Sequence, residues 1–448
     1  MTTRRLIIEL NRVLSVEDKA TLCLTRDENS ELDPRRPRFS AEPLRVPLTP
    51  EGREFLYRQN AMSPQSTPET REVAAEPAVA DRPTGVEMRA ELDRLFLFHV
   101  REGDVAQLLT WLTANGFRTA DDLYYDAPEP VHPPSALSVA PYRAQQTYLD
   151  ELGWANASGE AGGPVRLIDV EQGWTLSHEQ FEEACDADRL QLLAGENHLF
   201  RGHGTSVLGV LISAHAPVRG GVGMLPSLTI GLVSQHYKAK TGEIEYSTAA
   251  AIATAIESGF LSSGDILLIQ AQYLHKTSGL LLPVEVEPAV KRAIRWAVAE
   301  EILVIEAAGN GSAFLTRDST NSGAVLVGAA TSLDDMWPDP HRPLFFSNRG
   351  HGVQCYAWGE EVTTSGDGET SEELDDYTGE FGGTSAAASI IAGVAAVVQS
   401  VARKRGYNLT GSQLKRLLID PTNGIPLALG SDPIGTMPSL AKIVKKLQ

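Results

Sequence analysis

Apolar and polar positions fall into two textures that change near Val165. Beyond it, short apolar runs recur as VRLIDV, LTIGLVSQ, ILLIQAQ, ILVIEAAG and AVLVGAA, each parted from the next by a helical or loop stretch. Runs of this kind predict strands buried on both faces, and strands alternating with helices imply parallel pairing through right-handed crossovers. One intervening helix is expected over about 286–300, where Val290, Ile294, Ala297 and Val298 share a side with charges opposite. The longest apolar stretch is GGTSAAASIIAGVAAVV, Gly382 to Val398. From Ala386 every residue except Ser389 is small or aliphatic, so this helix keeps no polar face for water and belongs in a core. Ser385 stands at its N-terminus, where unpaired N–H groups and the helix dipole favour negative charge. An N-capping serine and a nucleophilic hydroxyl are both consistent with that position.

Upstream the pattern is thinner. Leu6 to Leu10 is a short apolar run, and Thr49 followed by Pro50 marks a helix start. The stretch from Ala61 to about Pro83 is rich in Pro, Glu, Ala and Thr without an aromatic residue, which reads as a linker. Order is expected again in a strand over Leu95 to Val100 and a helix capped by Asp104, with Val105, Leu108, Leu109 and Leu112 on one face and Asn115 and Gly116 closing it. DDLYYDAPEPVHPP then begins as a strand and ends as proline-rich extended chain. The expected division is an N-terminal segment over 1–60, a linker over 61–90, a small α+β domain over 91–140, and one large α/β domain over 141–448.

The 448 residues leave room for a large core. Lys and Arg number 39 against 58 Asp and Glu, a formal net charge of −19, and no basic run offers a footprint for a phosphate backbone, so no nucleic-acid partner is expected. Cys23, Cys185 and Cys355 lie far apart without metal-ligand spacing, which suits a reducing compartment. The first residues, MTTRRLIIELNRVLS, carry only a short apolar run and no secretory core, and no apolar stretch reaches the roughly 18 residues needed to span a bilayer without polar breaks. A cytoplasmic protein without a membrane partner is the expectation, and the oligomeric state stays open.

Four positions have complementary chemistry. Asp169 lies near the end of VRLIDV, His203 opens HGTSVLGVLI, Asn310 follows ILVIEA in AAGNG, and Ser385 opens the buried helix. Residues at strand ends and helix starts gather on the carboxyl rim of a parallel sheet. A serine hydroxyl needs a base, and a histidine serves if a carboxylate holds its other nitrogen. Asn310 and the Ser385 N–H are candidate donors to an oxyanion. The order Asp, His, Ser in the contexts DVEQGW, HGTSVLG, AAGNG and GTSAAASIIAG resembles the subtilisin-like serine peptidases, over roughly Leu149 to the C-terminus. GVGMLPSLTIGLVS, FFSNRGHGVQCYAWGEEV and IGTMPSLAKIV are similar to further stretches of that family.

The resemblance implies a three-layer αβα fold with a mainly parallel sheet, a small N-terminal accessory domain, and peptide-bond hydrolysis through an acyl-enzyme on Ser385. It makes Asp169, His203, Ser385 and Asn310 the catalytic set, and implies a peptide or protein substrate. Gln270, Ala271 and Gln272 would form a substrate-binding strand, with Ala307, Ala308 and Gly309 as the opposite pocket wall; an ordinary edge strand with exposed glutamines is the other reading. Departures from the family pattern are Ser206 in the histidine motif and Ser389 and Ile390 beyond the serine. Glu306 interrupts an apolar strand, as a specificity residue or as a group paired internally, and Asp318 is a further candidate. SAHAPVRGG lacks the carboxylates of a calcium loop, His198 and His215 lack metal-ligating companions, and no cofactor or metal is expected. Residues 92–140 would cover the cleft, with PEPVHPPSAL or a neighbouring segment as their tail, or recruit a partner. A catalytically silent binding scaffold of the same fold remains the alternative, whereas a nucleotide-binding fold lacks its glycine-rich signature.

Overall fold

The computed structural model describes residues 3–10, 39–62, 69–70, 84–101, 105–115, 117, 119–124, 145–214, 221–239, 242–275, 278–333, 340–366 and 376–447. Cys23, Asp104, Gly116, His215, the 128–137 tail and most of the expected linker lie outside them.

Strands β1 (Thr3–Leu10), β2 (Phe39–Pro43), β3 (Leu95–Arg101) and β4 (Thr119–Tyr124) form an antiparallel sheet in the order β2-β3-β1-β4. The N-terminal segment and the 91–140 unit, expected to be separate, thus share one sheet. Their pairing spans some ninety residues of sequence, which no local pattern announces. Ile8, Phe96, Phe98 and Val100 join Leu108 and Leu112 of the helix Val105–Ala114 in a small core of their own.

The large domain is built on seven strands. They are β5 (Arg166–Glu171), β6 (Leu190–Ala194), β7 (Thr229–Ser234), β8 (Ile266–Ile269), β9 (Leu303–Ala307), β10 (Val325–Ala330) and β11 (Cys355–Trp358). The order is β11-β10-β9-β8-β5-β7-β6, and every pair is parallel. Helices α1 (Arg201–Ile212) and α4 (Gly383–Lys404) pack on each other, and α2 (Thr248–Glu257) and α3 (Pro288–Ala299) form a second pair against the sheet. This is the expected α/β arrangement, a parallel sheet with helices packed against it.

Helix α4 is buried from Gly383 to Ala402. Its few polar side chains are bonded inside: Ser389 Oγ donates to Ser385 O at 2.8 Å, Gln399 Nε2 to Gly264 O at 2.8 Å, and Ser400 Oγ to Gly163 O at 2.7 Å. Among the described residues this one helix is long and apolar enough to cross a bilayer, which the sequence reading had missed; the protein itself encloses it.

The chain upstream of the large domain is not a detachable appendage. Thr49 Oγ1 accepts from Gly52 N at 2.8 Å, capping the helix Pro50–Met62, which lies along β6 and places Phe55 5.8 Å from the Phe260 ring. Leu48 bridges Ala194, so the exposed edge of the sheet is covered. The helix Gly85–Leu92 packs on α3, and Arg45 bridges Asp93 to Glu257 at the end of α2.

Glu287 caps α3 by accepting from Ala289 N at 3.1 Å and Val290 N at 2.8 Å. It is buried, and that burial outweighs its hydrogen bonds and pushes its pKa up to about 7. A raised carboxylate pKa means the folded chain holds the proton more tightly than the unfolded one. The contribution is therefore fully present below about pH 4.5 and lost as pH rises through about 7, a swing of about 3 kcal/mol. Glu287→Gln is expected to flatten this part of the stability–pH curve in denaturant melts between pH 4 and 8, whereas an unchanged slope would show that Glu287 does not carry it.

Candidate active site

Successive side chains of a strand point to opposite faces, so Asp169 and Glu171 of β5 share one face, with Glu171 at the carboxyl end. Glu171 Oε1 accepts from Gln172 N at 2.8 Å, and Glu171 Oε2 lies 2.6 Å from His203 Nδ1. His203 is the third residue of α1, whose first turn starts from Phe200 in the left-handed region, φ 51°. A carboxylate can only accept, so Nδ1 is the N–H end of the ring and Nε2 is the acceptor of the neutral imidazole.

The expected partner of the imidazole was Asp169, and here the structure corrects the sequence. Asp169 Oδ2 accepts instead from Trp174 Nε1 at 2.9 Å, and Oδ1 is buried without a partner. Burial, and then the charge of Glu171, raise its pKa well above the usual carboxylate range against the pull of the indole bond. The two carboxyls of this buried face thus have different partners, the imidazole for Glu171 and the indole for Asp169. A signal for Glu171 was present in the sequence: it lies two residues beyond Asp169 on the same face, nearer the rim where reactive groups gather.

The strand Tyr377–Phe381 leads through Gly382 into α4 and brings Ser385 into the same corner. The Phe381 ring packs edge-on against His203 at 5.7 Å, and α1 and α4 are in contact. His203 Nε2 and Ser385 Oγ are both buried and both without a hydrogen-bond partner. Their residues are 1 % and 0 % exposed, so this corner is closed to solvent. An acceptor nitrogen and a donor hydroxyl, each costly to leave unpaired, thus lie buried on two helices that pack on each other.

Asn310 is tied to the start of α4. Its Oδ1 accepts from Thr384 N at 3.1 Å and Thr384 Oγ1 at 3.0 Å, and Thr384 Oγ1 accepts in turn from Gly309 N at 3.1 Å. A backbone N–H can only donate, so the atom facing Thr384 is the oxygen and the Asn310 amide NH2 points away, without an acceptor among the described residues. In the first turn of α4, Gly383 N bonds Gly359 O and Ala386 N bonds Gly382 O, while Ser385 N has no partner among the described residues. Among the described residues these two donors, the Asn310 amide and the Ser385 N–H, thus have no acceptor. Gly309 has φ +89°, a conformation that a side chain would strain.

The expected substrate strand is built differently. β8 ends at Ile269, and Gln270 is fully buried with Nε2 on Ser385 O at 3.1 Å and Ser389 Oγ at 3.0 Å. It braces the helix that carries the serine. Gln272 is buried, its Oε1 accepts from Asn310 N at 3.0 Å, and its backbone begins a hairpin, with Gln272–Leu274 paired to Leu281–Pro283. Ala271, Ala307 and Ala308 are likewise fully buried. The glutamines are therefore not exposed, and the Gln272–Leu274 strand is paired on one side only, within a two-stranded sheet.

Glu306 is fully buried and accepts from Glu285 N at 3.0 Å, and Glu285 in turn takes the Ser322 hydroxyl. Burial, then repulsion from Glu285, raise the Glu306 pKa well above the ordinary range, so this is an internal acid pair. Asp318 is exposed, and so is His198, its ring 4.9 Å from that of His236. Ser206 bonds Gly202 O within its own helix at 2.9 Å. No cluster of three or more metal-ligating side chains occurs among the described residues.

A family model described as the subtilase family matches residues 192–431, more than half of the chain. The chain belongs to the subtilase family. The match takes in His203, Asn310 and Ser385, and both carboxylates of β5 lie upstream of it. Cerevisin from Saccharomyces cerevisiae is 28% identical to this subtilase over 244 residues, 52% of this chain. The match spans about a third, 34%, of cerevisin's own length. Among solved structures, the prenylagaramide maturation protease PagA superimposes with a TM-score of 0.50 at 20% identity, covering 67% of this chain and 98% of that one. The PatG macrocyclase domain does so with a TM-score of 0.52 at 17% identity, covering 69% and 99%. At these identities the likeness is one of fold.

The two carboxylates separate cleanly by substitution. Glu171→Gln removes the acceptor that holds His203, and covalent labelling of Ser385 by a fluorophosphonate is expected to slow by on the order of 10⁴. Asp169→Asn, nearly isosteric with the neutral acid, is expected to label within a few-fold of the parent. The reverse ranking would return the orienting role to Asp169.

Proposed function

We propose that this subtilase is a serine endopeptidase that works through an acyl-enzyme on Ser385. The observation that carries the reading is the 2.6 Å contact that fixes His203 by Nδ1, leaving Nε2 as an acceptor in the closed corner that holds the unpartnered Ser385 hydroxyl. Nε2 takes the Ser385 proton as Oγ attacks the scissile carbonyl carbon. The carbonyl oxygen, now an oxyanion, receives hydrogen bonds from Asn310 Nδ2 and Ser385 N–H. Collapse breaks the C–N bond, and the imidazolium passes its proton to the leaving amine. Water then repeats the sequence on the ester, which releases the acid and restores the hydroxyl. Glu171 keeps the ring in the required tautomer and offsets its transient charge.

A peptide substrate is supported by the family and by the fold it shares with the PatG macrocyclase, which has been solved in complex with peptide. The reading includes a closed resting state held by the N-terminal region, which suits the buried nucleophile. Because residues 44–62 belong to the main core, removing the whole region would strip apolar cover from the sheet. A cut within 128–137 avoids this.

Fluorophosphonate labelling of the full chain that vanishes in Ser385→Ala is the expected result, with Asn310→Ala lowering peptide turnover by about 10²–10³. No labelling before or after cutting at an engineered site in 128–137 would favour the silent scaffold. Labelling whose rate is unchanged by that cut would remove the closed resting state while keeping the peptidase.

A further inference from the structure

Large apolar side chains are mostly inside this protein, yet Phe345 is 82 % and Phe314 59 % exposed, and both stand on segments bonded to the Asn310 loop. Ser312, two residues past Asn310, donates its N–H to Phe346 O at 2.8 Å and its hydroxyl to Phe345 O at 2.7 Å. It does so from the left-handed region at φ 54°, a conformation that serine adopts at a cost in backbone strain. Ala313 N donates to Asn348 Oδ1 at 2.7 Å, Arg349 N to Ala313 O at 2.9 Å, and Leu315 N to Arg349 O at 2.6 Å. The stretch carrying Phe314 is therefore laced along the stretch that follows Phe345.

The same unit is locked to the catalytic loop from behind. Asn348 N donates to Gly309 O at 3.0 Å, and Asn348 Nδ2 reaches both Ala308 O and Leu281 O at 2.7 Å. Gly311 is pressed so closely on the hairpin that a Cβ there would lie 2.3 Å from Leu281 O. Leu280, 38 % exposed, extends the apolar surface at the hairpin tip. The one charged side chain on 312–315 and 345–349, Arg349, is engaged with Asp432 at 3.0 Å. Strain and hydrogen bonds are thus combined to hold two aromatic rings out in water next to an oxyanion donor.

We propose that Phe314 and Phe345 form an apolar subsite that takes a bulky apolar side chain of the peptide, within one or two residues of the bond that is cut. The inference rests on the peptidase reading. A peptide whose carbonyl oxygen lies at Asn310 must run past this loop, and each residue of an extended chain advances only about 3.3 Å. Its neighbouring side chains fall within reach of Phe314, four residues beyond Asn310, and of Phe345, whose carbonyl is bonded to Ser312, two residues beyond Asn310. Burying an aromatic or leucine side chain against them removes apolar surface of both partners from water, which discriminates against alanine or charge at that position.

The test compares the full chain with Phe314→Ser, Phe345→Ser, the double variant and the conservative Phe345→Leu. Each is assayed on a peptide library varied at the positions flanking the scissile bond, with fluorophosphonate labelling and light scattering alongside. The parent is expected to prefer Phe, Tyr, Leu or Trp at one position over Ala. The double variant is expected to lose at least tenfold of that preference in kcat/KM while labelling at the parent's rate and keeping its mass, and Phe345→Leu is expected to retain most of it. Unchanged preference in the double variant overturns the subsite, and so does a change confined to oligomeric mass, which would mark the rings as a self-association surface. A chain that neither labels nor cuts any peptide, before or after the cut within 128–137, ends the peptidase reading and this inference with it.

Discussion

One hydrogen bond decides what this molecule can do. A neutral imidazole can present either nitrogen as its acceptor, and an acceptor on Nδ1–H leaves Nε2 free to take a proton from a hydroxyl. Glu171 supplies that carboxylate at 2.6 Å, its own second oxygen pinned by the next backbone N–H. Rotated away from Glu171, the ring would have no defined tautomer, and the buried serine would be one more unsatisfied polar group in an apolar helix.

The rest of the fold keeps that contact short and the nucleophile near it. β5 is central in the sheet, flanked by β7 and β8, so Glu171 stands on a strand hydrogen-bonded on both sides. Helix α4 is surrounded by core and braced at its start by Gln270, while Thr384 fixes both the serine and the asparagine amide relative to each other. Removing the polar brace would leave Ser385 O and Ser389 with fewer partners inside an apolar environment, which is why a glutamine is tolerated at full burial. Asp169, two residues before Glu171 on the same buried face, is held by the Trp174 indole, and burial together with the nearby Glu171 raises its pKa.

Much of this was legible in the sequence. The apolar runs gave five of the seven strands, the alanine-rich stretch gave α4, and the residue types at strand ends and helix starts marked His203, Asn310 and Ser385 as candidates. What escaped were choices between neighbours. Asp169 and Glu171 share a face by the period of the strand, and nothing local says which one meets a ring thirty residues away. Gln270 and Gln272 looked like an exposed edge because their partners, the start of α4 and the Asn310 N–H, are 115 and 38 residues distant. The N-terminal sheet was missed for the same reason, since β1 finds β3 only after the intervening chain has folded back.

The most direct measurement of the central contact is a proton NMR spectrum in water that looks for the His203 Nδ1–H, which a short bond to a carboxylate moves far downfield of ordinary amides. The account predicts one such resonance in the parent, its persistence in Asp169→Asn, and its disappearance in Glu171→Gln. A resonance that survives in Glu171→Gln and vanishes in Asp169→Asn would contradict it.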